Sequence, residues 1–143
     1  MRASSSPRPE PERQHADARP DVVVDFEFDD GLLFVAVSNP SPHAAIAVRI
    51  TFDPPFRGLG GERDMGRLAL FRRLEYLAPG KRIATLVDSS AAYFARKEPT
   101  KVTATVAYRG LDGERHRREI THDLAVYRDL AYVVRSGSPG ADD

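Results

Sequence analysis

KVTATVAYRGLDGERHRREITHDLAVY, residues Lys101–Tyr127, decides the fold because it specifies its own hairpin register. Val102, Ala104, Val106 and Tyr108 alternate with Lys101, Thr103, Thr105 and Arg109, the period-two pattern of a half-buried strand. Leu111-Asp112-Gly113 interrupts it, and the alternation resumes at Ile120, Leu124 and Val126. A three-residue loop with glycine in the left-handed position closes a hairpin and pairs Gly110 with Glu114. Thr103 then faces Thr121 and Lys101 faces Asp123, two favourable cross-strand pairs.

The same alternation extends outward from this hairpin. Val22, Val24, Phe26 and Phe28 share one face, and Asp25 and Glu27 take the other. Asp30-Gly31 turns the chain into Leu32–Ser38, apolar on both faces and therefore central in its sheet. Asn39-Pro40 breaks that strand. Ile46, Val48, Ile50 and Phe52 form the next inward row. Asp53 to Gly66, with two prolines and four glycines, reads as a long, mobile or functional connection. Leu68 to Leu77 fits either a short strand or a helical turn, Pro79-Gly80 is a turn, and Lys81–Val87 a strand. Asp88 is placed to cap a short helix running to Ala95, with Tyr93 and Phe94 against the core.

These spacings predict an all-β, immunoglobulin-like antiparallel β-sandwich of about seven strands, with a short helical turn near 89–95. The chain has 143 residues, enough for one domain at 22–134. Residues 1–21 carry three consecutive serines and four prolines with no Val, Leu, Ile or Phe. Such a segment cannot bury enough apolar surface to order itself, so a disordered N-terminal tail is expected, and likewise at 135–143. That first segment also lacks the apolar core of a signal peptide, and no apolar run reaches the roughly 20 residues of a membrane helix. A cytoplasmic protein is the resulting expectation.

The order of strand, Asn39-Pro40 break, strand ending in Phe52, Leu77-Ala78-Pro79-Gly80 turn and Tyr108…Asp112-Gly113 hairpin resembles bacterial immunoglobulin-like domains of the CARDB-like, fibronectin-related type. The resemblance covers residues 21–130 and brings no catalytic residues. It implies a non-enzymatic adhesion, spacer or partner-binding role.

Composition narrows the chemistry. The 21 basic and 21 acidic residues cancel, so no global field steers the chain to nucleic acid or membrane. Only Lys81, Lys97 and Lys101 are lysine; the remaining 18 basic residues are arginine, as in GC-rich bacterial coding. Without cysteine there are no disulfides, thiol catalysis or thiolate metal ligands. His116 and His122 share a strand face but sit roughly 20 Å apart, too far for one metal ion. No metal and no cofactor is expected. His122 reads as a partly buried, hydrogen-bonded histidine facing Val102.

The hairpin register places His116 opposite Tyr108 and Arg118 opposite Val106, polar residues at nominally inward positions. One reading is a hairpin end uncovered by the opposing sheet, where Arg118 snorkels to water, or a bulge from Gly113 onward that rotates both residues outward. The other is a polar pocket of Tyr108, His116 and Arg118 that holds an anionic group, at a hairpin end that Arg109, Arg115, Arg117 and Arg118 make locally basic. Nucleic acid is disfavoured because Glu114 and Glu119 intervene and the outer face lacks stacking aromatics. The loop with Gly58, Gly60 and Gly61 lacks the Gly-Lys-Ser/Thr ending of a phosphate loop. Its candidate contacts for a partner are Phe56, Arg57, Leu59 and Arg63, with Phe56 either an exposed anchor or folded back over the sandwich edge. No Gly-x-Ser-x-Gly elbow exists, and the acidic pairs lie in a turn and a terminus. The sequence thus points to a non-catalytic protein-binding or scaffold module, with self-association through open edge strands as one mode. The alternative is an anion or nucleic-acid binder working through the hairpin tip.

Overall fold

Strand β1, Val23–Asp29, buries Val24 and Phe26 and turns Asp25 outward, as its alternation requires. The structure, a computed structural model, describes residues 19–130. Residues 1–18 of the first expected tail, the whole of the second (135–143) and residues 131–134, assigned to the domain, lie outside the described residues. Pro20 and Asp21, assigned to the first tail, already engage the fold: Pro20 is buried, and Asp21 pairs with Arg118.

The hairpin turn at Asp30-Gly31 leads into β2, Leu32–Ser38, which is central as expected, between β1 and β7, Arg82–Ser89. The second sheet has the order β6-β3-β8-β9, with β3 at Ala45–Asp53, β6 at Leu74–Leu77, β8 at Lys101–Gly110 and β9 at Arg115–Asp123. The fold is therefore an antiparallel all-β sandwich of three strands over four. Side chains from both sheets meet in one core, where Phe26 and Phe52 pack edge to face at 6.3 Å.

The β8–β9 register follows the sequence at every pair, from Lys101 opposite Asp123 to Arg109 opposite Arg115. The Thr103 and Thr121 hydroxyls lie 2.8 Å apart. At the tip the Gly110 N–H donates to Glu114 O at 3.0 Å, and Gly113 takes the left-handed conformation at φ 86.

Strand β3 departs from the expected row. Ala47 has φ 53, and the pairing with β8 shifts between Ile46 and Arg49, the mark of a β-bulge. Val48, Ile50 and Phe52 face inward as predicted, but Ala45 takes the inward place before the bulge and Ile46 turns out.

The Asp53–Gly66 connection is built rather than loose. Phe56 is 1% exposed and packs edge to face on Phe52 at 5.0 Å and Phe26 at 5.5 Å. The exposed-anchor reading of Phe56 is thereby corrected: its ring closes the core. Beyond it, short strands β4, Arg57–Gly58, and β5, Arg63–Asp64, flank a 3-10 turn at Leu59–Gly61. Leu68 to Leu77 holds both predicted alternatives in succession, a helical turn at Ala69–Arg72 and then β6.

The helix Ser90–Ala95 is capped by Ser89, whose Oγ accepts from the Ala92 N–H at 3.1 Å, and not by Asp88 as the sequence suggested. Asp88 serves the loop instead. Its Oδ2 accepts from the Gly60 N–H at 2.8 Å and from Arg96 Nη1 at 2.6 Å, and its Oδ1 from the Ser89 N–H at 2.8 Å. Arg96 continues to Arg57 O at 2.9 Å, fastening the loop to the helix. Desolvation works to raise the Asp88 carboxyl pKa; the Gly60 N–H, the Arg96 guanidinium and the Ser89 N–H outweigh it and hold the group below its ordinary value. A lowered folded-state pKa contributes stability above the unfolded value and loses it as pH falls through the folded one. Asp88→Asn is therefore expected to cost about 2 kcal/mol at pH 7, and urea denaturation should show that gap narrowing towards pH 3.

Two side chains close the outer edge of β1. His122 Nε2 lies 3.0 Å from Val24 O, and the Tyr127 hydroxyl donates to Phe26 O at 2.9 Å. His122 is thus partly buried and hydrogen-bonded, as read from the sequence. An edge whose carbonyls are occupied offers little to an incoming strand, so self-association through β1 is not favoured by this geometry. Among the described residues, no helix is long and apolar enough to cross a membrane.

Candidate binding site at the hairpin pole

Arg115-His116-Arg117-Arg118 opens β9, and strand alternation splits it between two faces. Arg115 and Arg117 join the outer face of the four-stranded sheet. His116 and Arg118 fall on the side of Tyr108 and Val106, their register partners. Tyr108 is buried, and its ring stacks on His116 with centroids 5.3 Å apart and planes at 30°. Arg118 escapes the core by reaching Asp21, so the snorkelling expected of it is what occurs. The register runs unbroken through this end, so no bulge is needed to rotate these residues.

The chain before β1 supplies the opposite wall. Tyr108 donates its hydroxyl to Pro20 O at 3.4 Å, drawing Arg19, Pro20 and Asp21 against the hairpin. A cavity of about 490 Å³ lies between, lined by Arg19, Arg115, Arg117 and Arg118 together with His116 and Tyr108. Its one carboxylate, Asp21, is engaged by Arg118, and Arg117 reaches Glu119 at 3.2 Å. Arg19 and Arg115 have no ion-pair partner among the described residues. His116 Nε2 is buried and has no hydrogen-bond partner there either.

That combination has a definite chemical meaning. A buried imidazole nitrogen without a partner costs about 1–3 kcal/mol unless something fills its hydrogen-bonding capacity. Arginine forks match the geometry of carboxylate and phosphate oxygens. The lining therefore offers donors and positive charge to an anionic group, with an aromatic floor.

Of the ten residues singled out in the sequence, Tyr108, Arg115, His116, Arg117 and Arg118 come together in this cavity. Arg109 stands beside it on the outer face, directly opposite Arg115. The other four lie in the connection that follows the far end of β3, where Asp53 pairs with Thr103, towards the opposite pole. There Phe56 is buried, and the Arg57 N–H donates to Glu98 at 3.0 Å. Leu59 is 43% exposed with φ 51, and Arg63 is exposed.

Sequence reasoning missed three features of the surface. Arg19 and Asp21 reach the hairpin from the segment assigned to the disordered tail, and only the tertiary fold brings them there. Arg49, Arg67, Arg72 and Arg73 line a second cavity of about 460 Å³ beside Ala69, built where the Ala69–Arg72 turn meets β3. Tyr76, which is 57% exposed, puts an aromatic ring at the surface on β6, where the sequence reading found none for the outer face. It pairs with Ile46, which is turned outward by a bulge that no glycine announces.

No curated protein matches the chain. The family model described as Domain of unknown function (DUF8453) matches residues 2–128, nearly the whole of the sandwich and the segment before it, and the chain belongs to that family.

Proposed function

We propose that this domain is a non-catalytic binding module that docks a partner protein through an anionic group held at the hairpin pole. The observation that carries the reading is a cavity lined by four arginines and one carboxylate, with His116 in its wall and Arg19 and Arg115 without an ion-pair partner among the described residues. Kinship with CARDB-like, fibronectin-related bacterial domains is part of the proposal. It is supported by the three-over-four antiparallel arrangement and by the turns at Pro79-Gly80 and Asp112-Gly113. The cysteine-free, charge-balanced composition fits a cytoplasmic setting.

A tetraglutamate peptide is a suitable probe. Its addition should shift the His116 and Tyr108 resonances in NMR spectra, and Arg115→Gln should weaken binding about tenfold, the loss of one charge-assisted contact of about 1.4 kcal/mol. Absence of any shift at millimolar peptide overturns the reading. The nucleic-acid alternative predicts instead a retention on single-stranded DNA that falls steeply between low and moderate salt.

A further inference from the structure

One residue from each strand of the four-stranded sheet forms a continuous row across its outer face: Tyr76, Ile46, Arg109 and Arg115. The row joins two depressions of opposite character. Arg115 lines the arginine cavity described above. Tyr76 lines a second, mainly apolar depression of about 340 Å³, walled by Pro42, Ala44, Pro79 and Leu111 together with His43 and Asp112. Leu111 is 70% exposed at the hairpin tip, so that it and the exposed Tyr76 both put apolar side chain at the rim of this depression.

The arginine end of the row is electrostatically unfavourable on its own. Arg109 and Arg115 are direct register partners, and neither side chain has an ion-pair partner among the described residues. Like charges at opposed positions destabilise a sheet, and a carboxylate placed between them reverses the sign. From Tyr76 to Arg115 the row spans three inter-strand spacings, roughly 14 Å. An extended chain advances about 3.3 Å per residue, so about four residues cover that distance.

We infer that this face reads a short extended segment of a partner protein, with an apolar side chain about four residues from an acidic cluster. The inference rests on the anion site proposed above and adds the apolar depression and the spacing. The apolar side chain enters the depression of Tyr76 and Leu111. The acidic groups lie over Arg109 and Arg115 and reach the His116 cavity. A phosphodiester chain would use the arginines and leave the proline- and leucine-walled depression unused, which favours a peptide.

The experiment compares three hexapeptides by fluorescence anisotropy and NMR, using the full chain: a leucine four residues before a Glu-Glu pair, the same residues with the leucine moved next to that pair, and tetraglutamate extended with glycine. The first should bind at least tenfold more tightly than the other two. Tyr76→Ala and Leu111→Ala, both at exposed positions, should remove that advantage and leave the tetraglutamate-induced His116 shift unchanged. Equal affinity for all three peptides, or binding indifferent to Tyr76→Ala, overturns the inference while the anion site stands. Loss of the His116 shift itself overturns the underlying reading. Tighter, salt-sensitive binding of single-stranded DNA than of the first peptide assigns the face to nucleic acid. Displacement of the peptide by concentration-dependent dimerisation assigns it to a second copy. Either result overturns the proposal.

Discussion

Phe56→Ala is expected to destabilise the domain by about 3–5 kcal/mol, seen as a large drop in the urea midpoint with little change in slope. The ring is 1% exposed and makes edge-to-face contacts with Phe52 at 5.0 Å, Phe26 at 5.5 Å and Tyr93 at 6.5 Å. It thus joins both sheets to the helix Ser90–Ala95, and truncation leaves a cavity among rigid rings that cannot collapse to fill it. Domains of this size have about 5–15 kcal/mol in total, so one side chain accounts for a large share. Phe56→Leu should recover most of the loss, because it restores volume but not the ring contacts. A cost below about 1 kcal/mol for Phe56→Ala would return Phe56 to the surface and revive it as a partner anchor.

Asn39→Ala is expected to cost about 2–4 kcal/mol, because Leu77 O and the Ser41 N–H lose their side-chain partner in a closed site, while His43 O keeps only the Ser41 hydroxyl. The side chain is fully buried. Its Nδ2 donates to His43 O at 2.7 Å and Leu77 O at 3.1 Å, and its Oδ1 accepts from the Ser41 N–H at 3.1 Å and the Ser41 hydroxyl at 2.7 Å. The backbone adds a bond from the Gly80 N–H to Asn39 O at 2.7 Å. One residue therefore holds the β2–β3 connection against the β6–β7 turn. Asn39→Asp should be at least as damaging as Asn39→Ala, since a carboxylate would face two carbonyl oxygens out of water. Equilibrium urea unfolding checks the energies. Because Pro42, Ala44 and Pro79 wall the apolar depression, the Asn39→Ala protein should also lose affinity for the leucine-containing hexapeptide under conditions where it is still folded.

The sequence made the β8–β9 hairpin readable to the residue because its information is local. Leu111-Asp112-Gly113 fixes the loop, and alternation carries the register to Lys101 and Asp123. The same locality exposed His116 and Arg118 as misfits, and the cavity lies there. What was illegible depends on distant contacts or on conformations that leave no residue signature. Arg19 and Asp21 reach the site from far away in the chain, Asp21 lying 97 residues before Arg118. Phe56 sits in a proline-rich connection without periodicity, so nothing local distinguishes a core ring from an exposed one. The bulge falls in Ala45–Val48, four apolar residues in a row, where either face could be buried. Asp88 and Ser89 are equally good caps on paper, and the choice was settled by Gly60 and Arg96, which competed for the carboxylate.

The kink at Ala47 lets a single strand belong to two jurisdictions. Downstream of it Val48, Ile50 and Phe52 answer to the core; upstream, Ile46 answers to the surface beside Tyr76 and Arg109. Removing one residue there would exchange Ala45 and Ile46 between inside and outside while leaving composition and strand order almost untouched. Relatives that differ by a single-residue gap at this point would share the same hydrophobic interior and present a different face. Within this family, specificity could then diverge by a length change in a strand, with the loops and the arginines held constant.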